Sequence, residues 1–283
     1  MDSAYYIPID PDADIDSGGT AEGVEYFTPT PSTASVWDSA LQHGGPPSAL
    51  LMRSMLRLQP DPSMRFTRVT VDILGAVGFG VNRVRARVLR PGKQIAMLAA
   101  ELDVQQPDGG FRTAARASAW LMRTVDSTAI TRSPQPPLVP VPNELERHIG
   151  VSSDPRLGVD WGDVGFIGTL ETAPVDGRVG DTPALWLRPA IDLVEGEPIS
   201  DLESIFTVID VANGLGTRLR PDEWTWMNTD TTVHLTTVPR GPWLGIDSDL
   251  ASGPDGFGAT FADLYDTSGF IGRSAQTVLL APR

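Results

Sequence analysis

The sequence predicts an α+β protein that runs one plan twice, a helix followed by antiparallel strands able to wrap it. Three observations carry that prediction. Apolar residues recur at spacings near three and four in two stretches, Val36 to Leu58 and Leu202 to Leu219. Each stretch is followed by segments of alternating apolar and polar residues, separated by Pro, Gly and Asp turns. The two stretches and their strands come in the same order, which marks a tandem duplication.

Taken in order, residues 1–23 are rich in Asp, Gly and Pro and read as a poorly ordered acidic arm or an edge strand. An N-terminal repeat then spans 24–126. Tyr26-Phe27 begins a short extended piece that ends at Pro29 and Pro31. Trp37, Leu41, Leu50, Leu51, Met55 and Leu58 mark one helical face. Gly44-Gly45-Pro46-Pro47 places a loop-to-helix junction after His43, with the prolines in a first turn where a missing N–H costs nothing. Strands follow over 67–73, 81–89, 94–104 and 111–122; in the first, Val69, Val71 and Ile73 alternate with Arg68, Thr70 and Asp72. Residues 127–183, with the run Ser133 to Pro142, form a Pro-rich connector. A C-terminal repeat over 184–283 opens with a strand at Trp186-Leu187. Its helix covers 202–219, and strands follow at 231–235, 243–248, 257–265 and 270–280.

His43–Arg53 can be laid over Asp210–Arg220, which sets His43 opposite Asp210; anchoring the last strands on Gly110-Phe111 and Gly269-Phe270 sets Ala117 opposite Gln276. A duplicated unit that keeps polar groups in one copy predicts one competent site per chain.

Composition removes several classes of function. A net charge of -14 disfavours nucleic acid and anionic membrane surfaces. With no cysteine there is no thiolate nucleophile, disulfide or Cys-ligated metal. The three histidines, His43, His148 and His234, lie far apart and without a HExxH pattern, which argues against zinc. No run approaches the roughly 18 apolar residues of a membrane helix, and the N-terminus has no signal-peptide pattern. A cytoplasmic protein without cofactor or metal is expected. Arg83, Arg85 and Arg87 read as a solvated strand face, and Trp224, Trp226 and Trp243 as packing or interface residues.

From about Tyr26 onward the chain resembles the acyl-CoA thioesterase II family, in an actinobacterial-type branch. His43-Gly44-Gly45 opening a helix and the strand Thr70-Val-Asp72-Ile-Leu carry the resemblance in the first half. Asp210, the pattern Asn228-Thr-Asp230-Thr231, and Gln276 within Ser-Ala-Gln-Thr carry it in the second. The resemblance implies a double hotdog, two tandem repeats each with a long helix wrapped by a curved antiparallel sheet. It implies Asp210 and Gln276 as catalytic residues, with Asn228 where the family has a Thr or Ser and Thr231 where it has a histidine. It also implies an acyl-CoA substrate, no covalent acyl-enzyme and a homodimer.

Thioester hydrolysis needs an activated water and a polarised carbonyl. Asp210 would act as general base or water-orienting carboxylate, with the amides of Asn228 and Gln276 holding the same water. Backbone N–H groups at a helix N-terminus, or at Gly44-Gly45, would polarise the carbonyl. His43, Gly44, Gly45, Thr229 and Thr232 are the substrate-binding candidates, though His43 also fits a structural histidine bonded to backbone. Two other functions compete: a non-catalytic hotdog protein that binds acyl chains or acyl-CoA, and a double-hotdog enoyl-CoA hydratase in which Asp38 would pair with His43.

Overall fold

The computed structural model describes residues 2–10, 23–59, 61–151, 164–175 and 183–283. The first half comprises β1 (Ala4–Ile9), β2 (Val24–Pro29), α1 (Gly45–Leu58), β3 (Met64–Ile73), β4 (Asn82–Arg90), β5 (Ile95–Gln105) and β6 (Phe111–Arg123). The remainder comprises β7 (His148–Ile149), β8 (Leu170–Val175), β9 (Ala184–Pro189), β10 (Asp192–Val194), α2 (Asp201–Val208) and α3 (Ala212–Gly216), followed by β11 (Trp224–Asn228), β12 (Asp230–Leu235), β13 (Leu244–Ser252), β14 (Phe257–Asp266) and β15 (Gly269–Pro282). The strands form one sheet in the order β10-β1-β2-β4-β5-β6-β3-β12-β15-β14-β13-β9-β8-β7, with β11 also paired to β15.

That order is symmetric about the β3–β12 junction, where Thr70 faces Thr232. Outward from it, β6, β5, β4, β2 and β1 on one side match β15, β14, β13, β9 and β8 on the other. The duplication read from the sequence is therefore present, but two of its correspondences change. Thr70 faces Ser118 where Thr232 faces Ala275, which makes Ala119, not Ala117, the counterpart of Gln276. The cause is the shorter turn between β14 and β15, which slips an overlay anchored on the Gly-Phe pairs. His43 and Asp210 are not counterparts either: His43 precedes α1, whereas Asp210 follows α2.

The helices pack against each other beneath the sheet. α1 starts at Gly45, at the junction read after His43; the apolar pattern from Val36 is not helical there, and that chain is held open by the bridges Ala34–Gln42 and Leu41–Gly78. α2 starts with a capping box, the Ser200 hydroxyl accepting from Glu203 N–H and the Glu203 carboxylate from Ser200 N–H. The stretch expected as a single helix tightens into a 3-10 turn at Ile209–Val211 before α3, within a β-branched run that loses rotamer freedom in a helix. Leu50, Leu51, Met52 and Met55 from α1 and Ile205, Phe206, Val208 and Ile209 from the second half are fully buried in a shared core. Buried Arg53 ties α1 to Glu25 on β2 and to Glu197 beyond β10.

The arm takes the strand alternative, paired on both sides, and the connector is more structured than expected. Residues 4–9 form β1, paired to β2 and β10, with Tyr5 and Tyr6 fully buried; residues 11–22 lie outside the described residues. Within the connector, β8 pairs with β9 and so belongs to the second sheet half, while residues 152–163 and 176–182 lie outside the described ones. Its Pro-rich part packs down, with Leu138 against Trp186 and Trp186 Nε1–H donating to the Pro140 carbonyl. Arg83 and Arg85 pair with Asp103, and Arg85 and Arg87 with Glu101, which makes this a cross-strand ion-pair face.

Candidate active site

The 3-10 turn after α2 projects Asp210, only 6% exposed, toward the inner end of β11 and the loop before α1. Its Oδ1 accepts a short 2.6 Å hydrogen bond from Asn228 Nδ2, with Thr231 Oγ1 at 3.4 Å and Gln276 Nε2 at 3.5 Å. Gln276 Nε2 also donates to Thr231 Oγ1 at 3.0 Å and reaches the Asp210 carbonyl at 3.4 Å. The three residues proposed from the sequence as catalytic thus converge on one carboxylate.

The other oxygen, Oδ2, lies 3.3 Å from His43 Nδ1. It also lies against Gly44, where an added Cβ would meet it at 2.7 Å. Gly44 is required by this close approach. Gly45 serves the fold: a Cβ there would stand 2.2 Å from the Thr207 carbonyl of α2, so its absence lets α1 and α2 touch. The His43 ring lies against Phe166, with centroids 4.5 Å apart, and burial pushes its pKa below the usual value despite the opposing pull of Asp210.

The expected backbone donors at the start of α1 are few. Gly45 N–H points at His43 Nδ1, 3.1 Å away, and Pro46 and Pro47 have no N–H. Gly44 N–H makes no hydrogen bond among the described residues and remains available for a carbonyl.

Two of the hydroxyls named as substrate-binding candidates lie away from Asp210. Thr229 is exposed, its hydroxyl turned to Asp230, and Thr232 Oγ1 bonds Thr70 Oγ1 at the β3–β12 junction. Their place is taken by Thr231, 2% exposed. The reason is a bulge. Asn228 pairs with Val278 and Thr232 with Ala275, so four steps on one strand oppose three on β15. The extra residue reverses which side chains face inward.

A cavity of about 680 Å³ opens beside Asp210, lined by His43, Gly44 and Asn228 at its polar end. Its walls are mostly apolar, with Trp37, Leu41, Val77, Ile167, Leu215 and Trp226. Trp37 and Trp226 meet edge to face at 4.9 Å, so Trp226 packs as expected but also bounds the cavity. The signal for Phe166 and for most of these walls is absent from the sequence, because they come from loops, a 3-10 turn, α3 and β11. Asp38 is exposed and caps Ala40 N–H, so it does not partner His43. No group of three metal-ligating side chains occurs among the described residues.

Comparison with known proteins adds the following. Residues 33–122 match the acyl-CoA thioesterase N-terminal domain and residues 145–280 the acyl-CoA thioesterase C-terminal domain. No curated protein matches the sequence. Among solved structures, a hot dog fold protein of unknown function from Alicyclobacillus acidocaldarius superposes with a TM-score of 0.67 at 14% identity, over 96% of this chain and 99% of that one. A candidate thioesterase II from Thermobifida fusca gives 0.64 at 20% identity, over 92% and 93% of the two chains. An acyl-CoA thioesterase II from Mycobacterium marinum gives 0.64 at 12% identity, over 95% and 97%. The hotdog architecture, doubled in one chain, is thereby shared.

Proposed function

The chain belongs to the acyl-CoA thioesterase family, and on that premise we propose that it hydrolyses acyl-CoA thioesters to free fatty acid and CoA by direct attack of water. One observation carries this: a buried carboxylate, held by two side-chain amides, at the polar end of a large apolar cavity. The acyl chain occupies the apolar walls, and the thioester carbonyl lies beside Gly44 and Asp210. Asp210 orients the attacking water, while Asn228, Thr231 and Gln276 fix the carboxylate itself. Direct attack is favoured because the chain has no cysteine and no Gly-x-Ser-x-Gly elbow.

Activity should be read as thiol release from acyl-CoAs of graded length, for the wild type and for Asp210→Ala and Gln276→Ala. Loss in both variants while they remain folded supports the proposal. Activity that survives both substitutions removes these residues from the mechanism, and a wild type inert toward every thioester favours a binding protein.

A homodimer is part of the same proposal. On one sheet face Phe257, Phe261, Leu279 and Met227 are 60%, 57%, 49% and 47% exposed, an apolar patch suited to a second copy. Light scattering on Phe261→Lys tests it. None of the described helices is long and apolar enough to cross a membrane.

A further inference from the structure

Resting on the thioesterase reading, we propose that His43 and Asp210 form a dyad in which His43 Nε2, not the carboxylate, takes the proton from the attacking water. The geometry begins with a conflict at Nδ1. Gly45 N–H points at it from 3.1 Å, and Asp210 Oδ2 faces it from 3.3 Å. If Nδ1 is a lone pair it accepts from Gly45 but repels the carboxylate. If it carries the proton it donates to Asp210 and forgoes the glycine. A hydrogen bond to a carboxylate is roughly twice as strong as a neutral one, so the second arrangement wins while Asp210 is ionised. Asp210 is fixed in place to receive it, because Asn228, Thr231 and Gln276 occupy its other oxygen.

With the proton on Nδ1, the ring's lone pair sits on Nε2. The hydrogen bond and ion pair of the His43 ring are both at Nδ1, and His43 lines the cavity. Asp210 is the charged group facing the ring; its other neighbours are the Phe166 face and the glycine backbone. Burial lowers the imidazole pKa, so the ring is neutral and able to accept near pH 7. Water oxygen then bonds to the thioester carbon as one of its protons passes to Nε2. The C–S bond breaks with its electron pair on sulfur, and the Nε2 proton passes to that thiolate. The products are a carboxylic acid and a thiol, with no other reactant required. In this dyad Asp210 acts on the water through His43 rather than by contact, holding the tautomer and the imidazolium, and Nε2 carries the proton.

The test has a spectroscopic arm and a kinetic arm. The chain has three histidines, so nitrogen-15 imidazole spectra of the wild type and His43→Gln assign the His43 ring by difference. At pH 7 the wild type should show His43 protonated on Nδ1 and bare on Nε2, with the Nδ1 resonance displaced in Asp210→Asn. In kinetics, kcat/KM should rise with pH through a limb in or just below the histidine range. His43→Gln should lose about 100-fold or more, the usual yield of a general base, and lose that limb. A wild-type ring protonated on Nε2 overturns the dyad even if the enzyme is active. So does a limb in the carboxylate range, or a folded His43→Gln within tenfold of the wild type. Conversely, the proposed tautomer in a protein inert toward all thioesters leaves the dyad's geometry standing, refutes the thioesterase function and removes the proton transfer with it.

Discussion

Adding one methyl group at Gly44 is the most direct test of the site's geometry. Gly44 has φ -65° and ψ -18°, a conformation open to any residue, so Gly44→Ala introduces no backbone strain. It even restricts the unfolded chain, which favours folding by about 0.4–1 kcal/mol. The new Cβ, however, would stand 2.7 Å from Asp210 Oδ2 and 3.1 Å from both Asp210 Cγ and Ile73 Cδ1. Ordinary contact begins at 3.4 Å, so the carboxylate must retreat by about 0.7 Å, close to the 1 Å displacement that costs roughly 100-fold in rate. It cannot retreat freely, because Oδ1 is held at 2.6 Å by Asn228. Stretching that bond costs a share of the ~1.5–3 kcal/mol of a charged hydrogen bond. The two stability effects largely cancel while catalysis does not. The expected outcome is a kcat about 100-fold down, with a urea midpoint near that of the wild type. Gly45→Ala is the contrast: its Cβ would meet backbone, the Thr207 carbonyl, at 2.2 Å, so α1 and α2 must separate and the fold itself must suffer. A Gly44→Ala enzyme with wild-type kcat would refute this placement of the carboxylate.

Three further outcomes follow from the same geometry. Thr231→Val keeps strand propensity but leaves the Gln276 amide without its 3.0 Å partner, which should cost about 1–3 kcal/mol in chemical denaturation and reduce kcat about tenfold; Thr229→Val and Thr232→Val should stay near wild type in kcat. Leu215→Trp adds bulk to the cavity wall and should depress kcat/KM for long acyl chains more than for short ones, read across a chain-length series. The folded protein binds the His43 proton less tightly than the unfolded chain, so stability should be fully present above the unfolded value of 6.5 and should fall as pH drops through 6.5 toward the lowered folded value; urea titrations of the wild type against His43→Gln isolate that slope.

How much of this was legible depended on whether the signal was local. Strands such as 111–122 were readable because their side chains alternate between two environments along the chain itself, and the observed β6 spans Phe111–Arg123. Asp210, Asn228 and Gln276 were found through their resemblance to a family pattern, and they do converge. For β1 the sequence left two readings open, a poorly ordered arm or an edge strand, because its two buried tyrosines sit beside an Asp-rich segment that dominates the local composition. β8 was missed because Pro174 within it argues against a strand, and the Pro-rich run before it dominates the local composition. The partnership of His43 with Asp210 was invisible to any overlay, because the overlay treated as equivalent two residues that meet face to face.

The bulge at Thr229 explains why Thr231 rather than Thr229 or Thr232 faces inward, but not why the site exists in one half only. β3 carries the same irregularity between Phe66 and Arg68, where Phe66 pairs with Leu121 and Arg68 with Trp120. The bulge is therefore a feature of the repeat rather than of the site. Carried across the pseudo-two-fold, Asn228 corresponds to Phe66, Thr231 to Val69 and Gln276 to Ala119, whose exposures are 5%, 1% and 0%. The same inward positions are a polar cluster in one copy and hydrophobic core in the other. A buried polar group left unpartnered costs about 1–3 kcal/mol, so a single Gln or Thr introduced into the first copy would be penalised until its partners were present as well. Asn228, Thr231 and the Gln276 amide nitrogen are partnered through one another and Asp210, while Gln276 Oε1 has no partner among the described residues, so the members of this single site depend on one another.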